Sequence, residues 1–261
     1  MVALLAAGLL AAGFLAGCEG PQQPTPTPAP VPTGPVRGPK APDGGTIRVA
    51  EQGFTSGTTR AGRPIVSYGF VLENTSRTWT ARNTVVTVSL TTAAGKSVTD
   101  YFISPNRTVG AIIGPGQRTG AGSNSRVDLT GTARVSIRFR NTVWTPNSAK
   151  LPVGGELLTP APLTADTVKV TPGPGGPGLP ATVAYTAHSG YPIVLRKVWT
   201  DVIYRDATGR IVGGTNTRLT GRSLTAAYPP GSVAARLIDQ NGPPAATDPT
   251  RTAVYLYPDS E

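Results

Sequence analysis

The side chains able to do chemistry are few: one cysteine, Cys18, one histidine, His188, and 14 carboxylates in 261 residues. Cys18 has no second thiol, so an intramolecular disulfide is impossible, and a leftover cysteine calls for other chemistry at its sulfur. A metal centre needs several His, Cys or carboxylate ligands brought together, and His188 has neither a second histidine nor a spare thiol to join it. Beside Ser189-Gly190, His188 is expected in a turn. A Ser–His–Asp arrangement would have to use this imidazole, yet no Gly-x-Ser-x-Gly elbow occurs. Asp201 and Asp206 fall in a strand and the turn after it, so they point apart rather than forming an acid–base pair. Asp206 is expected to accept hydrogen bonds from turn N–H groups. The stretch Gly173 to Gly178 lacks Gly-Lys-Ser/Thr and a following helix, and reads as a loop rather than a phosphate cradle. On this reading the chain is not an enzyme: it has no catalytic residue, no metal ligand and no cofactor, and its ligand-binding residues are unassigned.

The surroundings of Cys18 suggest what its sulfur does. Residues 2–17 read VALLAAGLLAAGFLAG, an apolar run shorter than the roughly 20 residues of a membrane-spanning helix and suited to a signal-peptide core. It closes on Leu15-Ala16-Gly17-Cys18, which resembles the bacterial lipobox. That resemblance implies that residues 1–17 are removed and that Cys18 carries diacylglycerol, holding the chain on the outer face of the cell membrane. Only Met1 precedes the run, without the Lys or Arg of a usual signal-peptide start, which leaves a start upstream of residue 1 open. Residues 18–43 are rich in Pro, Thr and Ala. Too polar to build a core, they predict an extended, disordered tether at about 3.1 Å per residue.

Composition bounds the rest. Hydrophobic residues make up 38% and aromatics 6%, with Gly 32 and Pro 27, which disfavours long helices and favours strands and turns. The net charge is +10, with arginine far outnumbering lysine. A nucleic-acid binder concentrates basic residues in a stripe with aromatics; here Arg48, Arg77, Arg134, Arg196, Arg210 and Arg236 stand singly among Thr, Gly and Val. No nucleic-acid partner is expected. Solubility and attraction to anionic headgroups or wall polymers both remain open. The Ala-, Gly-, Pro- and Arg-rich usage suits a GC-rich Gram-positive source.

The remaining chain repeats itself at a spacing of roughly 114 residues, the mark of tandem domains rather than a solenoid, whose units are about 20–50 residues. Val85 to Leu90 followed by Ala93-Ala94-Gly95-Lys96 matches Val198 to Tyr204 followed by Ala207-Thr208-Gly209-Arg210. In both, apolar residues alternate: Val86, Val88 and Leu90 in one, Val198, Val202 and Tyr204 in the other, giving strands with one buried face. Glycine supplies the positive φ of each tight hairpin. Pro115-Gly116 and Pro230-Gly231 fall at nearly the same spacing, and residues 134–140 and 252–257 read as closing strands. The fold class expected is all-β: two tandem Ig-like β-sandwiches at 44–150 and 165–261, joined by a linker over 151–164.

At these residues the halves resemble the FxLYD domain of bacterial surface proteins. Val202, Tyr204, Asp206 and Gly209 fit its pattern; in the first half Val88, Leu90 and Gly95 fit, with Thr92 where the Asp is expected. The resemblance implies small extracytoplasmic sandwiches without an assigned activity. Trp199 alternates with Val198 and Thr200, so it is expected on the face away from the core, at a contact between modules or with a partner. The function expected is a membrane-anchored interaction module of the cell envelope. The alternatives are an accessory subunit of an exported enzyme or transporter, and a small-ligand-binding surface protein. Its partners would be the membrane, through Cys18, and an envelope protein.

Overall fold

The computed structural model describes residues 36–58, 64–98, 106–125, 131–174, 179–217 and 221–258; Cys18 and the expected signal segment lie outside them. The first part runs β1 (Arg37–Lys40), β2 (Thr46–Thr58), β3 (Pro64–Asn74), β4 (Trp79–Thr92), β5 (Ser97–Val98), β6 (Asn106–Ile113), β7 (Arg118–Ser125) and β8 (Thr132–Pro146). A short hairpin follows, β9 (Leu151–Val153) with β10 (Glu156–Leu158). The second part runs β11 (Leu163–Pro172), β12 (Ala181–Ser189), β13 (Val198–Arg205), β14 (Ile211–Asn216), β15 (Gly221–Ser223), β16 (Gly231–Asp239) and β17 (Ala253–Pro258). The strand pairings are antiparallel. The one helical element among the described residues is a 3-10 turn at Pro249–Arg251. The all-β sandwich expectation holds.

Four main sheets result. Sheet I has the order β1-β2-β3-β7; in sheet II, β4 pairs with β5 and β6 along one edge and with β8 along the other. Their facing sides close a core in which Tyr68, Phe70 and Leu72 of β3 meet Val86, Val88 and Leu90 of β4 and Ile137 of β8. Sheet III has the order β11-β12-β16-β15 and sheet IV β14-β13-β17, with Val183 and Tyr185 packed against Val202, Tyr204 and Val254. The period-2 alternation read from β4 and β13 is thus the alternation between core and outer face.

The two halves share their turn geometry. In the β4–β5 hairpin, Gly95 N–H donates to Thr92 O and Thr92 N–H to Lys96 O; in the β13–β14 hairpin, Gly209 N–H donates to Asp206 O and Asp206 N–H to Arg210 O. Gly95 and Gly209 have φ of 78° and 87°, a region few other residues enter cheaply.

Sheets I and IV then stack on each other by their outer faces, giving the layer order II, I, IV, III. Val71 of β3 packs with Ile203, Ile211 and Tyr255 of the second half. All six residues of β14 are buried, as expected of a strand covered on both faces. Glycines let the backbones close in. A Cβ on Gly122 would lie 2.6 Å from the Gly214 Cα, and one on Gly213 would lie 2.1 Å from the Ser67 Oγ. Both distances are too short for any side chain.

Hydrogen bonds fill this seam. Gly122 lies on the outermost strand of sheet I, and side chains of the second half take the groups it turns outward. Asp201 Oδ1 accepts its N–H at 2.9 Å, and Asn216 Nδ2 donates to its carbonyl at 2.8 Å. Asp201 and Asn216 are cross-strand partners, so together they finish the sheet edge much as another strand would. Ser67 Oγ accepts from Gly214 N–H at 3.0 Å. At the rim, Glu51 is ion-paired with both Arg118 and Arg205.

Two boundaries read from sequence are corrected. Residues 37–43, assigned to the tether, belong to the fold: β1 pairs with β2, and Ala41 is buried. Its four residues carry a Gly and a Pro, which masks a strand in a Pro-rich stretch. Residues 151–164, expected as a linker, hold the β9–β10 hairpin and the start of β11, and Val153 enters the second core. Three-residue strands around a Gly154-Gly155 turn are too short to show a period.

Candidate functional site

The outer face of sheet III brings together side chains that the sequence keeps far apart. His188 is not in a turn; it lies in β12 one residue before its end, and since the odd-numbered residues from Ala181 to Ser189 point inward, the imidazole is on the outer face. Ser232 on β16 is its cross-strand partner. His188 Nδ1 lies 2.8 Å from Ser232 Oγ, and Nε2 lies 2.9 Å from Asp166 Oδ2 on β11. With the ring neutral and Nε2–H donating to the carboxylate, Nδ1 accepts the Ser232 O–H.

Asp166 sits where β11 departs from regular pairing, between Asp166 and Lys169. Thr167 beside it has φ of 48°, a strained conformation for a β-branched residue. The Thr167 Oγ1 donates to Asp166 Oδ1 at 3.1 Å and lies 2.6 Å from Thr186 Oγ1. The hydrogen bond from His188, with a further one from Thr167, holds the Asp166 carboxyl below the usual carboxylate range.

The chain of groups is triad-like in composition and differs from a catalytic triad in setting. The imidazole is 40% and the carboxylate 60% exposed, so water competes for both. The nitrogens are also exchanged: the carboxylate holds Nε2 and the hydroxyl Nδ1, where acyl transfer uses the reverse. Ser232 lies near the start of β16 and pairs with His188 of β12, while β15 reaches β16 only at Leu237–Asp239. Such an array suits hydrogen-bonded binding of a polar group.

A groove of about 430 Å³ opens beside it, between β11 and the segment from Thr250 to Tyr255, with Asp166, Thr167 and Thr252 in its lining. Thr252 is 7% exposed, and its Oγ1 has no hydrogen-bond partner among the described residues.

The other side chains weighed from sequence are dispersed. Asp201 is buried at the seam. Asp206 caps its hairpin as expected, accepting from Thr208 N–H at 2.9 Å and Arg210 N–H at 3.0 Å. The Thr208 hydroxyl, and after it Arg210, pull its pKa down to about 2. Trp199 shares the β13 face of Asp201 and Ile203, which is turned toward the first half. Trp144 packs against the first core, and Tyr191 is buried in the second. Of the Gly173 to Gly178 loop, residues 175–178 lie outside the described residues. Among the described residues no cluster of three His, Cys, Asp or Glu is placed to hold a metal, and no helix is long and apolar enough to cross a membrane.

Sequence reasoning missed Asp166 and Ser232. They precede and follow His188 by 22 and 44 residues, on different strands, and only the pairing register joins them. No protein-family model matches the chain, and no curated protein does.

Proposed function

We propose that this chain is an exported lipoprotein whose two β-sandwiches form a non-catalytic interaction module at the cell envelope, anchored through Cys18. The observation that carries the reading is the sole cysteine of the chain, standing at the end of the apolar run in Leu15-Ala16-Gly17-Cys18. The Pro-rich stretch behind it supplies a spacer. The glycine-lined seam supports a body that presents its outer sheets as one unit. The matching hairpins at Gly95 and Gly209 support two related, Ig-like modules of the FxLYD type. Crosslinking in cells followed by affinity capture tests the role, with Cys18→Ala as control. Reproducible recovery of one or a few envelope proteins, lost in Cys18→Ala, is expected; equal recovery with both forms contradicts a role that depends on anchoring.

A small-ligand role is favoured by one observation, the Thr252 hydroxyl that lines the groove beside Asp166 and has no hydrogen-bond partner among the described residues. Ligand-detected NMR with a panel of neutral hydroxylated compounds tests it: binding abolished by Thr252→Val supports the role, and binding unchanged in that variant opposes it.

A further inference from the structure

The strands of sheet II offer a long outer face without a carboxylate of their own. None of β4, β5, β6 and β8 contains an Asp or Glu. Along β8, Val135 and Ile137 point into the core, so Arg134, Ser136 and Arg138 point outward, and Arg140 follows on the same face. All three arginines are exposed. The ladder sets Arg134 and Arg138 opposite Thr91 and Thr87 of β4, and Arg140 Nε donates to Thr87 Oγ1 at 2.8 Å. No carboxylate among the described residues pairs with any of the three. Val143 is 44% exposed and shares this face, because its neighbour Trp144 packs inward.

The position of the chain's entry singles out this face. The described residues begin at Val36, and β1 packs beside β8: a Cβ on Gly38 would lie 2.7 Å from the Phe139 ring. Arg37 and Lys40 of β1 are both exposed at that edge. The segment joining Cys18 to Val36 reaches about 65 Å at most when fully extended. A chain anchored at Cys18 thus enters the fold at β1, beside the strand that carries the arginines. Among the described residues, Glu51 and Glu73 of the first half are paired to Arg118.

We infer that the outer face of sheet II, through Arg134, Arg138 and Arg140, docks on the anionic lipid surface of the membrane that holds the anchor. Guanidinium groups bind phosphate through paired N–H donors, hydroxyls of β4 line the spaces between them, and Val143 adds apolar contact at the headgroup level. The orientation rests on the lipid-anchored reading; the binding does not, so the two are tested apart.

The test uses the chain from residue 18 onward with Cys18→Ser, which retains every described residue and has no lipid. It is sedimented with vesicles of phosphatidylcholine alone and of phosphatidylcholine with 30% phosphatidylglycerol. Binding to the anionic vesicles only, weakened at high salt, is expected. At about fivefold per basic residue, Arg134→Gln/Arg138→Gln/Arg140→Gln loses roughly 100-fold. Lys169→Gln/Arg222→Gln/Arg236→Gln, which removes the same charge from sheet III, keeps binding within about threefold. Circular dichroism of both triple variants checks that the strands persist. Absence of binding to anionic vesicles, equal loss in the two triple variants, or binding to soluble poly(glycerol phosphate) without binding to vesicles overturns the inference. None of these outcomes depends on whether Cys18 is acylated.

Discussion

Asp201 of the second half accepts the N–H of Gly122 of the first at 2.9 Å, and Tyr257 donates to the other oxygen of the same carboxylate. This carboxylate is buried, and it finishes the edge of a sheet to which it does not belong. It is the polar centre of the seam between sheets I and IV.

Asp201→Ala removes the acceptor of the Gly122 N–H and Tyr257 hydroxyl hydrogen bonds, at about 1–3 kcal/mol each. Urea denaturation is expected to show a loss of about 3 kcal/mol. Asn216→Ala, which removes the donor to the Gly122 carbonyl, is expected to lose less. A change below about 0.5 kcal/mol for Asp201→Ala would contradict the seam as described.

Glycine at the seam is required by space. Gly122→Val forces apart two backbones that leave 2.6 Å for a Cβ, and overpacking of this kind costs about 1–3 kcal/mol or more. Gly57→Ala on β2 meets nothing within 4 Å and is expected to be neutral or slightly stabilising. Thermal unfolding of the two variants side by side checks the contrast.

Asp239 carries a pH dependence of definite sign. Burial raises its pKa, against hydrogen bonds from Tyr204, Asn241 and Thr215 that lower it. A carboxyl whose folded pKa lies above its unfolded value, about 3.9, favours folding while protonated. That contribution is lost as pH rises through the folded pKa. Asp239→Asn is expected to be less stable overall, through a disturbed hydrogen-bond set, and to show a flatter stability profile from pH 4 upward. An identical pH slope in both proteins would refute the assignment.

Asp206 behaves oppositely. Its folded pKa of about 2 lies below the unfolded value, so its contribution is present above about pH 4 and lost as pH falls toward 2. Asp206→Ala removes the caps on Thr208 and Arg210 and is expected to cost about 1 kcal/mol. It should also weaken the acid sensitivity between pH 4 and 2, measured by denaturation at each pH.

The strand alternation at Val86, Val88 and Leu90 and at Val198, Val202 and Tyr204 was legible because a half-buried strand writes its period into the sequence. The hairpins were legible because Gly95 and Gly209 supply positive φ where the chain reverses. The stacking of sheets was not. Gly122, Gly213 and Gly214 look like loop-prone composition until the opposite backbone is in place, and Asp201 looks like a lone carboxylate until Gly122 is beside it. Asp166, His188 and Ser232 carry no local signal, because strand pairing alone makes them neighbours. β1 was hidden by its Gly and Pro, whose bias toward turns outweighs four residues of ladder.

The most direct measurement is metabolic labelling with a clickable fatty acid, comparing the wild-type chain with Cys18→Ala expressed at the same level in a bacterium that processes lipoproteins. The account predicts a labelled wild-type protein in the membrane fraction and an unlabelled Cys18→Ala protein released from it. A label that persists in Cys18→Ala, or a wild-type chain that takes up none, would contradict the anchor and with it the tethered interaction module.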